Sequence, residues 1–190
     1  RTQFYATGGF GPDERLQRPD GALGKSLETT VRSFETECGS WACFKLSKYL
    51  LQFTGDSRYG DWMEKMVYNG VGASLPLLSD GLSTVFGNTF YYSDYNIGGA
   101  HKFYLPANFP CCSGTIAQAV PDYYDNIYFK NPTGLYVNLF MPSEVTWKHA
   151  GQEISIRQET LYPESDSTTL TIATGSSEPF NLHFRVPTWC

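Results

Sequence analysis

The chain has 190 residues, 41% of them hydrophobic and 17% charged, enough to bury a core as one globular domain or two small ones. Its formal net charge is −5 and lysine and arginine form no run, which argues against nucleic acid, whose binding needs a basic footprint that releases counterions. No apolar run approaches the roughly 20 residues of a membrane span, so no membrane is expected. The first residues show no signal-peptide pattern, which leaves extracellular and cytoplasmic locations both open.

Residues 1–26 have no apolar period, and their glycines and prolines read as one long irregular loop. From about Cys38 the pattern is helical, with Trp41, Ala42, Leu46, Tyr49, Leu50 and Phe53 recurring at three- and four-residue spacings. "TGD" at 54–56 ends that helix with a glycine and offers Asp56 as the N-cap of the next. The second helix runs through "SRYGDWMEKMVYNG", with Tyr59, Trp62, Met63, Met66 and Val67 on its apolar face, and stops at Asn69-Gly70. The two form an α-hairpin. Residues 71–110 read as irregular, with a short strand at Val85–Tyr92. A third helix is expected over Gly114–Tyr124, capped by Ser113 or Thr115, with Pro121 late in it.

After Asp125 the period becomes two. "NIYF", "GLYVNLFM", "EVTWKH", "EISIRQET", "TTLTIAT" and "FNLHFRVP" alternate between turn residues, which predicts about six antiparallel strands arranged as a sandwich. The fold class is therefore α+β and multidomain, with a helical portion at 1–126 and a β portion at 127–190. Three helices and a long loop system do not bury a good core alone. The helical portion reads as part of a larger assembly whose N-terminal part precedes this chain.

Five cysteines, an odd number, do not make a secreted disulfide framework. "FETEC" puts Glu35, Glu37 and Cys38 together at a helix start, and "NFPCCSGT" puts Cys111 and Cys112 at another. Three thiolates and a carboxylate can fill a tetrahedral Zn²⁺ site, and a helix N-terminus favours the thiolate that metals and electrophiles need. The plain alternative is buried, inert thiols, and it is the better reading for Cys43 and Cys190. Glu14 and Asp13 are carboxylates in a glycine-rich loop, and His101 is a loop histidine able to hydrogen-bond a ligand. Aromatic residues make up 16% of the chain. Their default use is core packing, with the stacking of sugar faces the lesser reading.

In order along nearly the whole chain, "TGGFG" followed by a glutamate, "ETEC", "GDSRYGDWMEKMVYNG", "FPCCSGT" and the closing "FRVPTWC" resemble glycoside hydrolase family 127, the β-L-arabinofuranosidase family, and its relatives. The resemblance implies an (α/α)₆ barrel followed by β-sandwich domains, of which this chain would be the last helices and part of the first sandwich. It implies a zinc-dependent, retaining glycosidase that releases terminal arabinofuranose-like sugars. In that likeness Cys111 is the nucleophile, Glu14 the general acid and base, and Cys38, Cys111 and Cys112 the sulfur ligands of Zn²⁺. The fourth ligand is Glu35 or Glu37. The family has a glutamate two residues before the first cysteine, where this chain has Thr36. Glu35 could share a helical face with Cys38, whereas Glu37 would need an extended backbone. A carbohydrate is the expected partner and a homo-oligomer stays open. Relatives on this scaffold with another substrate or chemistry, or with sugar binding alone, are the alternatives.

Overall fold

A computed structural model describes residues 3–5, 8–12, 15–29, 35–72, 89–96, 99–105, 110–175 and 178–190. The chain forms two compact units, Arg1–Tyr123 and Tyr124–Cys190. The architecture is mixed α and β.

The first unit begins with a loop and then a helix, α1 (Ala22–Thr29), where the sequence reads as irregular up to residue 26. Only Leu23 of α1 is buried, so little apolar periodicity betrays it. A two-residue strand, β1 (Glu35–Thr36), runs directly into α2 (Glu37–Thr54). Gly55 at φ +66° stops α2, and the Asp56 carboxylate accepts from the Arg58 backbone N–H at the head of α3 (Ser57–Lys65), as the capping pattern requires. The expected stop at Asn69-Gly70 is instead a π-helical turn, Met66–Val71, closed by the Gly72 N–H donating to the Val67 carbonyl.

The apolar face of α3 is the expected one, with Met63, Met66 and Val67 buried. Asp61 and Glu64 are buried beside them and engaged in interactions of their own. The face of α2 differs from expectation. Besides Gly39, its buried positions are Ser40, Cys43, Phe44 and Ser47, at i, i+3, i+4 and i+7, while Leu46, Tyr49 and Phe53 are exposed. Polar Ser47 can face inward because its hydroxyl donates to the Cys43 carbonyl at 2.8 Å.

Residues 71–110 are not simply irregular. β2 (Thr89–Asn96) and β3 (Gly99–Leu105) pair antiparallel, and β1 joins the outer edge of β2 with Glu35 opposite Ser93. Of the expected strand, residues 85–88 lie outside the described ones. The last helix of the unit, α4, spans Pro110–Tyr124, starting four residues before the expected Gly114. Pro110 fits the first helical position, whose N–H has no helical partner anyway, and Cys111 and Cys112 are inside the helix instead of ahead of it. Ser113 and Thr115 are accordingly interior residues rather than caps.

Among its described residues the second unit holds two three-stranded sheets. One joins β4 (Tyr128–Asn131), β5 (Gly134–Val137) and β9 (Asn181–Phe184); the other joins β6 (Ser143–His149), β7 (Gln152–Thr160) and β8 (Thr168–Thr174). The pairing is not wholly antiparallel, because β5 and β9 run parallel. There Gly134 meets Asn181 so closely that a Cβ would fall 2.0 Å from the Asn181 carbonyl oxygen, which restricts the position to glycine. The β6–β7 turn uses Ala150 and Gly151 at φ +49° and +80°, the left-handed pair of a two-residue hairpin. Alternation buries Ile154 and Ile156 of β7, which with Leu135, Val137 and Leu139 make the core. Gln158 follows in the same register and is also buried, its amide donating to the Leu139 carbonyl at 3.2 Å.

Candidate active site

The helix α2 carries Cys38 in its first turn, and α4 carries Thr115 one turn beyond Cys111. The Cys38 sulfur and the Thr115 hydroxyl oxygen lie 3.6 Å apart, within hydrogen-bond reach for sulfur. Farther along, Lys45 of α2 reaches Asp122 of α4, Nζ to Oδ2, at 3.8 Å, and its ammonium sits 4.9 Å over the Trp41 ring. Cys38 to Lys45 and Thr115 to Asp122 are the same step of two helical turns. The two helices therefore run side by side in the same direction, and their N-termini meet at one end.

That arrangement gathers what the sequence leaves far apart. Positions 111 and 112 precede Thr115 by four and three residues, the spacings that share one side of a helix. Cys38 thus lies against the side of α4 on which both neighbouring cysteine positions fall. Two helix N-termini supply partial positive charge at the same place, which favours thiolate over thiol. The side chains of Cys111, Cys112, Glu35 and Glu37 lie outside the described ones; their backbones are in α4, β1 and the first turn of α2. The backbone reverses the reasoning about the carboxylates. Glu35 is in a strand and so shares no helical face with Cys38, and Glu37 opens the helix instead of extending away from it.

The donor chemistry fits a thiophilic cation such as Zn²⁺, with Cys38 half-buried and every other sulfur of the set at a helix start. Among the described residues no group of three or more metal-binding side chains converges, and of the expected ligands only the side chain of Cys38 is described. Cys43 does not belong to it. Its thiol is buried in apolar surroundings, and burial pushes its pKa up to about 12, so it stays protonated and inert. Cys190 is exposed in the second unit.

Glu14 and Asp13 lie outside the described residues. The loop before them is held firmly. The Trp62 indole N–H donates to the Gly8 carbonyl at 2.7 Å, and Phe4 meets the Trp62 ring edge-on at 4.5 Å. Gly8 has φ +102°, and its N–H donates to the Tyr5 carbonyl. Immediately after, the Arg15 N–H donates to the Pro12 carbonyl. His101 is in β3, paired with Asp94 of β2, and its side chain is outside the described ones. Neither the Thr115–Cys38 contact nor the Trp62–Gly8 contact is anticipated from the sequence. The signal for Thr115 was its place four and three residues after the two cysteines; nothing in the sequence marked Trp62 beyond its place on an apolar face.

Comparison with known proteins identifies the two units. A family model described as "Beta-L-arabinofuranosidase, GH127 catalytic domain" matches residues 1–125, and one described as "Beta-L-arabinofuranosidase, GH127 middle domain" matches residues 134–190. No curated protein matches the chain by sequence. Among solved structures the chain is similar to a GH127 beta-L-arabinofuranosidase from Geobacillus stearothermophilus, at 24% identity and TM-score 0.74, over 100% of this chain and 30% of that one. It is also similar to a protein described as a glycoside hydrolase, at 22% identity and TM-score 0.75, over 99% of this chain and 34% of that one. A third is a GH127 beta-arabinofuranosidase, at 24% identity and TM-score 0.74, over 99% of this chain and 28% of that one. The chain spans about a third of the length of these structures, and at such identities the likeness is one of fold. With a catalytic-domain model covering its first unit and a middle-domain model most of its second, the chain belongs to glycoside hydrolase family 127.

Proposed function

We propose that the protein to which this chain belongs is a retaining glycoside hydrolase that releases a terminal arabinofuranose-like sugar, with Cys111 as nucleophile and Glu14 as general acid and base. The observation that carries the reading is the catalytic-domain match over residues 1–125, combined with the seating of Cys38 against the first turns of α4. The domain reading is a barrel portion over 1–126 and a sandwich portion over 127–190. The helices would be the closing part of an (α/α)₆ barrel. In support, α2 is apolar on two sides: Cys43 and Phe44 are buried, while Leu46, Tyr49 and Phe53 remain 50%, 47% and 85% exposed. That is the make-up of a helix packed on both sides in a larger helical assembly.

Cys38, Cys111, Cys112 and either Glu35 or Glu37 would hold Zn²⁺, which when bound keeps its thiols deprotonated and makes sulfur a better leaving group. Glu14 in its acid form gives a proton to the glycosidic oxygen as the Cys111 thiolate attacks the anomeric carbon. The C–O bond breaks, a C–S bond forms, and the alcohol leaves. Glu14, now a carboxylate, takes a proton from water, whose oxygen attacks the same carbon and displaces the sulfur. Two inversions give retention. The converging N-termini of α2 and α4 stabilise the sulfur anion before attack and after its release.

In the full-length protein, Cys111→Ala is expected to lower release of nitrophenol from a nitrophenyl β-L-arabinofuranoside by on the order of 10⁴–10⁶-fold. Turnover that survives Cys111→Ala excludes the nucleophile. Sugar binding by the wild type without any product, across furanosides and other glycosides, would favour a binding protein, a reading that Thr36 at the family's glutamate position keeps in view.

A further inference from the structure

The contact between Cys38 and Thr115 does more than register two helices. We infer that Thr115 is a positioning residue for Cys38, its hydroxyl donating to the sulfur in the thiolate state and fixing that sulfur toward positions 111 and 112. The inference rests on the reading of Cys38 as a metal ligand.

The direction of the bond follows from chemistry. A thiol and a hydroxyl at 3.6 Å can donate either way, but a thiolate has no proton to give, so the Thr115 O–H must be the donor. Thr115 is 8% exposed, so water cannot readily replace that donor. Cys38 is half-buried, so a thiolate there that loses this hydrogen bond loses part of what offsets its desolvation. Threonine also suits the task sterically. In a helix its hydroxyl divides between two rotamers, and its single proton goes either to a carbonyl of the preceding turn or to the sulfur across the groove, where a thiolate competes for it. The Lys45–Asp122 pair two turns along is a second contact between α2 and α4 at the same register as the hydroxyl and the sulfur. Outer-sphere donors to a ligand atom set both its orientation and its electron donation to the metal.

The test uses the full-length protein and three variants, Thr115→Val, Thr115→Ser and Cys38→Ser, with Thr115→Ala as a second hydroxyl-free form in case valine disturbs folding. Zinc affinity is measured by competition with a chromophoric chelator. The sulfur-to-metal charge-transfer band is recorded after Co²⁺ substitution. Thr115→Val is expected to weaken zinc about 10–100-fold and to move the band to lower energy, because a sulfur relieved of its hydrogen bond gives up electrons more easily. Thr115→Ser is expected to keep both properties near the wild type. A packing role alone would lower affinity in Thr115→Ser and Thr115→Ala, which lose the methyl, while Thr115→Val stays near the wild type and the band stays in place, and that result would overturn the inference. Unchanged zinc affinity in Thr115→Val and Thr115→Ala, with affinity lost in Cys38→Ser, would overturn it while leaving the metal reading intact. Unchanged affinity in Cys38→Ser would remove both.

Discussion

The loop that precedes Glu14 is anchored through one glycine, and replacing it should release the anchor. Gly8 has φ +102°, where a side chain costs about 1–2 kcal/mol. A Cβ there would also stand 2.4 Å from the Met66 methyl carbon, 3.0 Å from Lys65 Cβ and 3.4 Å from the Trp62 ring. The methyl is the flexible end of its side chain, but Met66 is fully buried, so its displacement adds about 1–2 kcal/mol of overpacking. The expected loss for Gly8→Ala is therefore about 2–4 kcal/mol. Gly21 provides the internal control, because it has φ +88° and nothing within 4 Å of its would-be Cβ. Gly21→Ala should cost the backbone share alone, about 1–2 kcal/mol. Hydrogen exchange of the Trp62 indole N–H, which donates to Gly8, reports the local opening in the full-length protein. Its protection should fall about 5–30-fold further in Gly8→Ala than in Gly21→Ala. Equal loss in the two variants would show that the close packing of Gly8 on α3 has no energetic weight.

Cys43 should resist iodoacetamide at pH 8 while Cys190 is carbamidomethylated, which mass spectrometry of the quenched protein reads directly; rapid labelling of Cys43 would contradict its burial. Its folded pKa of about 12 stands above the ordinary 9.0, so the unfolded chain gives up this proton first. Stability from this group is intact below about pH 9 and declines as pH rises toward 12, a slope that Cys43→Ala should remove. Asp56 titrates in the opposite sense. The hydrogen bond from the Arg58 side chain, with the Arg58 backbone N–H, holds its carboxyl below the ordinary 3.8, so the cap is present above that pH and lost as pH falls through the depressed value. Asp56→Asn should keep the cap and flatten the acid dependence of Arg58 amide exchange; an unchanged profile would assign that dependence to another group.

Much of the local structure is legible because it depends on neighbours in sequence. The cap at Asp56, the apolar face of Met63, Met66 and Val67, and the alternation of Ile154 and Ile156 all follow from periods and side-chain chemistry within a few residues. The face of α2 was misread for a definite reason. Its apolar residues occur on two sides, and only packing decides that Cys43 and Phe44 turn inward while Phe53 stays out. The start of α4 was misplaced because a proline before two cysteines looks like a loop, although proline is at home in a first helical turn. Glycine-rich residues 71–110 hid a hairpin whose pairing partners are set by the sheet, not by the segment.

By itself the sequence supplied the candidate groups, sulfur at 38, 111 and 112 and carboxylates at 14, 35 and 37, and the motifs that resemble one family of glycosidases. Their identity is covalent and needs no fold. Tertiary structure alone decided that α2 and α4 lie parallel with their N-termini together, which brings Cys38 to Thr115 across 77 residues of chain. It also decided that Glu35 is in a strand and Glu37 in a helix. The first outcome depends on contacts between two helices distant in sequence and the second on the pairing of β1 with β2, nonlocal free energies that no short window of residues contains.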